Sequence, residues 1–97
     1  MRVYHGTDCE VSVLETGSYV IRSLKDAWKF GYRKSVVNKR PTVLVYTADV
    51  NESTIEADTK RDRAFVLLAP LTVSLLTSSP TWSSPFKLET FKSLDKL

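Results

Sequence analysis

Three adjacent residues near the amino terminus, His5, Gly6 and Thr7, carry the groups with the clearest chemical potential in this sequence. The imidazole and the hydroxyl together offer a compact set of hydrogen-bond donors and acceptors. The glycine between them would let a ligand approach the backbone closely. The alternative is purely structural, with His5 ending a strand and residues 6–8 forming a turn. The triplet therefore predicts either part of a binding site or the end of a strand.

Other site chemistries are limited by single copies of cysteine and histidine. A nucleophilic pair would have to join Cys9 to His5 across a turn, which is an awkward geometry, and an inert thiol is the alternative. One cysteine excludes an intramolecular disulfide, and one cysteine with one histidine cannot build a structural zinc site. The glycines, at positions 6, 17 and 31, are too far apart for a dinucleotide fingerprint or a phosphate-binding loop.

The elements that must position these residues are short strands and one helix. Strands are predicted at 2–5, 11–14, 19–21, 42–46, 64–69 and 71–76. Ser23 followed by Asp26 predicts a helix start of the capping-box type, with an apolar face that includes Trp28 and Gly31. Gly31 predicts either that the helix ends near Tyr32 or that another element packs closely against it. Residues 49–63 read as a loop with at most a turn of helix.

These elements predict an α+β fold with a mostly antiparallel, split β-sheet and one main helix. The chain of 97 residues, with 42% apolar and 26% charged residues, is expected to form a single domain, with a core over 2–76 and a linker-like tail over 77–97 that can dock on it. No stretch is apolar enough to span a membrane and the first residues have no signal-peptide pattern, so the cytoplasm is the expected compartment.

The order of motifs adds a family resemblance. The runs Val3-Tyr4-His5-Gly6-Thr7 and Gly17-Ser18-Tyr19-Val20, followed by a helix with Ala27 and Phe30, resemble the ADP-ribosyltransferase-like superfamily. The resemblance is to its histidine–tyrosine–acid branch, which includes poly-ADP-ribose polymerase catalytic domains and small rifampicin-modifying transferases. It implies that NAD is bound as a substrate and that ADP-ribose is transferred to a macromolecular acceptor.

The resemblance also implies roles for individual residues. His5 would bond the adenosine ribose hydroxyls, the Gly6 backbone would hold the nicotinamide amide, and Thr7 would lie beside it. Tyr19 would stack on the nicotinamide ring, because an electron-poor ring favours an aromatic face. For Tyr19 the alternative is a core aromatic on a strand.

A catalytic acid would complete this set, and the resemblance places it near the strand that follows the long loop. The candidates are Asp62 and Asp58, with Glu56 third. For Asp58 and Asp62 the alternative is a solvated loop charge near the basic residues Lys60, Arg61 and Arg63. The sequence leaves the choice among these carboxylates open.

A second function class comes from the cations of the predicted helix. Lys25, Lys29, Arg33 and Lys34 are interleaved with aromatic residues, a composition typical of nucleic-acid contact surfaces. The alternative is a solvated helix face with the aromatics turned inward. The sequence thus predicts a small NAD-dependent transferase or, alternatively, a catalytically inactive relative that uses a basic face on nucleic acid or an acidic protein.

Overall fold

A computed structural model describes residues 1–58 and 64–80 of the chain. Over these residues the strands are β1 (Arg2–Thr7), β2 (Val13–Leu14), β3 (Tyr19–Ile21), β4 (Thr42–Asp49), β5 (Ile55–Ala57), β6 (Ala64–Leu67), β7 (Leu71–Thr72) and β8 (Ser74–Pro80). The helices are α1 (Leu24–Val37) and a 3₁₀ turn at Glu52–Thr54. Neither helix in this part of the chain has the length and apolarity needed to cross a membrane.

The strands form a six-stranded sheet in the order β5-β6-β3-β1-β4-β8, and β2 pairs with β7 in a separate two-stranded ribbon. Every recorded pairing is antiparallel. The prediction of an α+β fold with one main helix and a mostly antiparallel sheet is confirmed for the described residues. β1 lies near the middle of the sheet, so its residues are flanked on both sides.

Helix α1 begins where the sequence predicts. Ser23 is the N-cap, and its hydroxyl accepts a hydrogen bond from the Asp26 backbone N–H at 3.2 Å. Ala27, Trp28 and Gly31 are buried on one face, together with Ser35, which the apolar pattern did not include. The Ser35 hydroxyl donates to the Tyr32 carbonyl at 2.7 Å, which satisfies its polar atom inside the helix.

The contact between α1 and β1 is made through two glycines. A Cβ at Gly6 would overlap the Ala27 carbonyl oxygen, and a Cβ at Gly31 would lie 2.9 Å from both the Thr7 nitrogen and Val43 Cγ1. The helix therefore continues through Gly31, and the glycine is explained by the close packing of β1 against it. This is one of the two alternatives that the sequence predicted. The predicted turn at 6–8 is wrong for Gly6 and Thr7, which lie inside β1.

Each face of the sheet has its own apolar cluster. The helix covers one that includes Ile21, Trp28, Val43 and Val45. The opposite face carries the larger cluster: Val3, Leu14, Val20, Leu44, Tyr46, Val50, Ile55, Leu67 and Val73. The alternation of side chains along β1, β3 and β4 supplies both clusters from the same strands.

Two segments extend the sheet beyond the sequence prediction. Strand β8 continues through Thr77–Ser78–Ser79–Pro80, which the sequence analysis placed in a linker-like tail, because pairing with Val43 and Leu44 on β4 requires only backbone groups. Strand β5 lies within the segment read as a loop, where three residues pair with β6. The rest of that tail, 81–97, lies outside the described residues.

Candidate functional site

The candidate site lies where β1 and β3 separate. Their ladder records a single pair, Tyr4 with Ile21, whereas β1 and β4 remain paired from Arg2 with Asp49 to Thr7 with Leu44. Had the β1–β3 ladder continued in register, Tyr19 would stand opposite Gly6. The pairing of β1 with β3 therefore does not continue beyond Tyr4, although both strands belong to one six-stranded sheet, and a side chain fills the gap between them.

That side chain is His5. Its Nδ1–H donates to the main-chain carbonyl of Tyr19 at 2.8 Å, so the imidazole takes the acceptor that a continued ladder would have used. Because a carbonyl can only accept, the proton must be on Nδ1 of the neutral ring, and Nε2 keeps a lone pair. The ring is thus held in one tautomer and one orientation.

The electrostatic environment keeps this imidazole neutral. Burial lowers the pKa of His5 below its usual value, and the positive charge of Lys34 lowers it further. The hydrogen bond to the Tyr19 carbonyl acts in the opposite direction and is outweighed by burial. At neutral pH, His5 can therefore donate from Nδ1 and accept at Nε2.

A small cleft opens where the pairing of β1 with β3 ends, with a cavity volume of about 50 Å³. Its lining consists of residues 4–6 of β1, residues 19–21 of β3, Phe30 and Lys34 of α1, and Ala64 at the start of β6. Most of the exposed lining is apolar, and polar groups come from His5, Lys34 and the tyrosines. Tyr19 is 46% exposed, so it is not the core aromatic of the alternative interpretation.

The structure brings together three of the four residues of the predicted NAD contact set. His5, Gly6 and Tyr19 line the cleft. Thr7 does not: it is 4% exposed, and its hydroxyl lies 3.7 Å from the sulfur of Cys9. The side chain of Thr7 belongs to the opposite face of the sheet, because it is opposite Leu44 on β4.

Cys9 is exposed, and its recorded contact is this one with Thr7. In the described part of the chain, no hydrogen bond joins Cys9 to His5, whose Nδ1 is held by Tyr19. The structure gives no support to a Cys–His nucleophilic pair. Nor do the described residues contain a cluster of three or more potential metal ligands.

The two candidate acids that the structure describes, Asp58 and Glu56, lie toward the β5 edge and do not line the cleft. Asp58 is half-buried, and its backbone N–H donates to the carbonyl of Ala64 at 3.0 Å, which places it beside a cleft residue. Glu56 is exposed and is opposite Val66, whose other neighbour is Tyr19. Glu56 is therefore two strand spacings, or about 10 Å, from Tyr19. Asp62 lies outside the described residues.

The basic residues of α1 divide between two directions. Lys25, Lys29 and Arg33 follow one another at four-residue intervals and so share one side of the helix, with Lys29 half-buried and the other two exposed. Lys34 instead reaches the lining of the cleft. The four cations grouped by the sequence analysis as one nucleic-acid contact surface therefore do not form a single stripe.

Sequence reasoning missed Phe30 and Lys34 as cleft residues. They are four positions apart, so they share a side of α1, and both line the cleft. Gly31 beside Phe30 was the available signal, because a glycine that permits close packing also brings its neighbours near the facing strand.

Comparison of the chain with known proteins found no matching family model, no matching curated protein and no matching solved structure.

Proposed function

We propose that the protein is a small NAD-binding ADP-ribosyltransferase-like protein whose nicotinamide site is the cleft between β1 and β3. The observation that carries this proposal is the shared cleft of His5, Gly6 and Tyr19, with the imidazole oriented by the Tyr19 carbonyl. The order of motifs in the sequence marks the same three residues. Their convergence on one cleft supports the proposal.

The chemistry follows from the groups at the cleft. The bond between the ribose C1′ and the nicotinamide nitrogen breaks, and its electron pair leaves with nicotinamide. An oxocarbenium-like ribose remains, and a nucleophilic acceptor forms a bond to C1′ and releases a proton. His5 accepts a hydroxyl hydrogen bond at Nε2, and the ring of Tyr19 stacks on nicotinamide. Such preoriented groups stabilise a transition state without having to reorganise.

The acid that would stabilise the developing positive charge is assigned to Asp58 in this proposal. Its support is the hydrogen bond to Ala64, which brings its backbone to the rim of the cleft. Glu56 is more exposed than Asp58, and its β6 partner, Val66, does not line the cleft. The acceptor macromolecule is not specified by these residues.

The volume of the cleft sets a condition on binding. An engineered apolar cavity of about 150 Å³ is known to hold benzene, whereas this cleft has about 50 Å³. A nicotinamide ring can enter only if the cleft widens, and the half-exposed Tyr19 at its rim is the side chain best placed to move. Because widening costs free energy, we expect weak binding, with a dissociation constant that approaches millimolar.

The decisive experiment is a titration of the folded protein with NAD, followed by calorimetry and by NMR of the single histidine. The control is His5→Asn, because the asparagine amide can still donate to the Tyr19 carbonyl but has no counterpart of Nε2. We expect binding by the wild type and at least a tenfold loss in His5→Asn. Absence of binding at millimolar NAD, with the fold confirmed by circular dichroism, would refute the proposal.

Catalysis is tested separately by the release of nicotinamide from NAD. We expect slow release by the wild type and a loss of about a hundredfold or more in Asp58→Asn, the size of effect usual for one electrostatic contact in a transition state. Glu56→Gln is the matched control and should retain most of the rate. If Glu56→Gln abolishes release and Asp58→Asn does not, the acid is Glu56.

A second candidate function is a catalytically inactive relative that binds a polyanion through α1. It is favoured by the absence of a carboxylate among the described residues that line the cleft, and by the row of Lys25, Lys29 and Arg33. It predicts association with nucleic acid that weakens steeply with salt. Lys25→Glu with Arg33→Glu should abolish this association, whereas His5→Ala should not change it. Association that is insensitive to salt would exclude this candidate.

A further inference from the structure

Lys34 stands apart from the other cations of α1. It lies in the last turn of the helix, its side chain is exposed, and it lines the same cleft as His5 and Phe30. Its positive charge reaches the imidazole, since it contributes to lowering the pKa of His5. The cleft therefore has an apolar interior with one permanent cation at its mouth.

This charge has no counterion among the residues that the structure describes. Lys34 forms no ion pair in the part of the chain that the structure describes, and no acid lines the cleft. Its position near the carboxyl end of α1 favours a cation through the helix dipole, but that effect requires no contact with the cleft. An ammonium group with three free donors beside an apolar cleft is instead suited to an anionic group on a ligand whose flat part enters the cleft.

We propose that Lys34 binds the phosphate attached to the nicotinamide ribose, so that the cleft selects nicotinamide ribosides that carry a 5′-phosphate. The inference rests on the proposed function, because it takes the nicotinamide ring as the group that enters the cleft. With that ring inside and the ribose at the mouth, the 5′-phosphate is the first anion outside. A lysine binds such an oxygen as a point charge through charge-assisted hydrogen bonds.

The experiment compares three ligands with the full chain: nicotinamide riboside, nicotinamide mononucleotide and NAD. Only the riboside lacks phosphate. Binding is followed through the resonance of the single histidine, which lies in the cleft. Lys34→Gln removes the charge, Lys34→Arg keeps it, and Lys39→Gln removes the same charge from the end of the helix without touching the cleft lining.

The expected result is a weakening of about fivefold for the mononucleotide and NAD in Lys34→Gln, the effect of one partly exposed charge contact, with no weakening for the riboside, whose pyridinium cation gains nothing from the lysine. Lys34→Arg should restore binding, and Lys39→Gln should behave as the wild type. Added salt should weaken the mononucleotide more than the riboside in the wild type but equally in Lys34→Gln.

Two results would overturn this inference alone. Equal weakening of all three ligands would mean that Lys34 acts through packing, and unchanged binding of the mononucleotide would mean that another group receives the phosphate. Failure of all three ligands to bind the folded wild type would instead overturn the proposed function, and this inference with it. The riboside is therefore the ligand that separates the two failures.

Discussion

The two edges of β1 are built differently. Toward β4, the strand is paired along its whole length from Arg2 to Thr7, and the helix packs directly on this region through Gly6 and Gly31. Toward β3, the recorded pairing is limited to Tyr4 with Ile21, and beyond it a histidine side chain replaces the backbone ladder. One edge is closed by main-chain contacts and the other is held open by a side chain.

The difference shows how a small sheet can contain a site without losing its core. The paired edge and the glycine contact fix the position of β1 and α1, so the open edge does not have to provide stability. The cleft lies where β1 and β3 are no longer paired through their backbones, and the His5 imidazole donates a hydrogen bond to the unpaired Tyr19 carbonyl. Substitutions on the two edges should therefore have separable effects.

The largest effect is expected at the closed edge. Gly6→Ala places a Cβ against the Ala27 carbonyl oxygen, a backbone atom that can move only if the helix moves. We expect a loss of about 3 kcal/mol or more in the free energy of unfolding, out of a total of roughly 5–15 kcal/mol for a domain of this size. Urea denaturation followed by circular dichroism measures it.

Gly31→Ala is the matched substitution across the same contact. The new methyl group would meet the Thr7 nitrogen and a methyl of Val43, each at 2.9 Å, and alanine favours the helix by about 1 kcal/mol relative to glycine. The net loss should therefore be smaller, about 1–2 kcal/mol. A Gly6→Ala variant as stable as the wild type would show that α1 does not rest on β1 as described.

Substitution of His5 at the edge of β1 that faces β3 should have a smaller effect on stability. His5→Ala leaves the Tyr19 carbonyl without its donor, which should cost about 1 kcal/mol in the free energy of unfolding. His5→Asn should recover most of this loss, because its amide can donate from nearly the same position as Nδ1. Equal destabilisation in both variants would mean that the loss of stability does not come from the hydrogen bond between His5 and the Tyr19 carbonyl.

The smallest effect is a pH dependence at the same edge. Because the pKa of His5 is lowered in the folded protein, the unfolded chain takes up a proton near pH 6.5 while the folded chain stays neutral. The His5 contribution to stability is therefore complete above about pH 6.5 and falls as the pH drops toward the lower native pKa. The thermal midpoint should fall between pH 7.5 and 5.5, and less so in His5→Asn.

The imidazole resonance tests this directly, since the chain has one histidine. Its titration midpoint should lie below that of an unstructured histidine peptide. A midpoint at or above the peptide value would contradict the expectation that burial of the ring outweighs its hydrogen bond to the Tyr19 carbonyl.

Features fixed by local chemistry were predictable from the sequence. Ser23 caps α1, the apolar face of the helix is buried, and β3 covers Tyr19–Ile21, because each depends on residues close in the chain. Strand β8 was not recognised beyond residue 76, because Ser78 and Ser79 pair through their backbones with a distant strand. Propensity cannot report pairing of that kind.

The candidate site likewise has residues that the sequence marks and residues that only the tertiary packing reveals. The motif marked His5, Gly6 and Tyr19, but Gly6 was assigned to a turn because nothing local reveals that a helix carbonyl lies against it. Phe30 and Lys34 were interpreted as part of a nucleic-acid contact surface or, alternatively, as an inward aromatic and a solvated cation, and only the packing of α1 on β1 brings them to the cleft. The position of the candidate carboxylates Glu56 and Asp58 is the least predictable part, because their distance from the cleft depends on the register between β5 and β6.

The acceptor of the His5 hydrogen bond is a main-chain atom, so the orientation of the imidazole and the side chain at position 19 can be varied independently. The orientation of the imidazole depends on the path of β3 and not on which side chain occupies position 19. Replacing Tyr19 with phenylalanine, tryptophan or leucine would change the surface offered to an incoming ring and leave His5 where it is. If the cleft binds a ligand as proposed, substitutions at this one position would change which ring it accepts while the hydrogen-bonding half of the cleft stays constant.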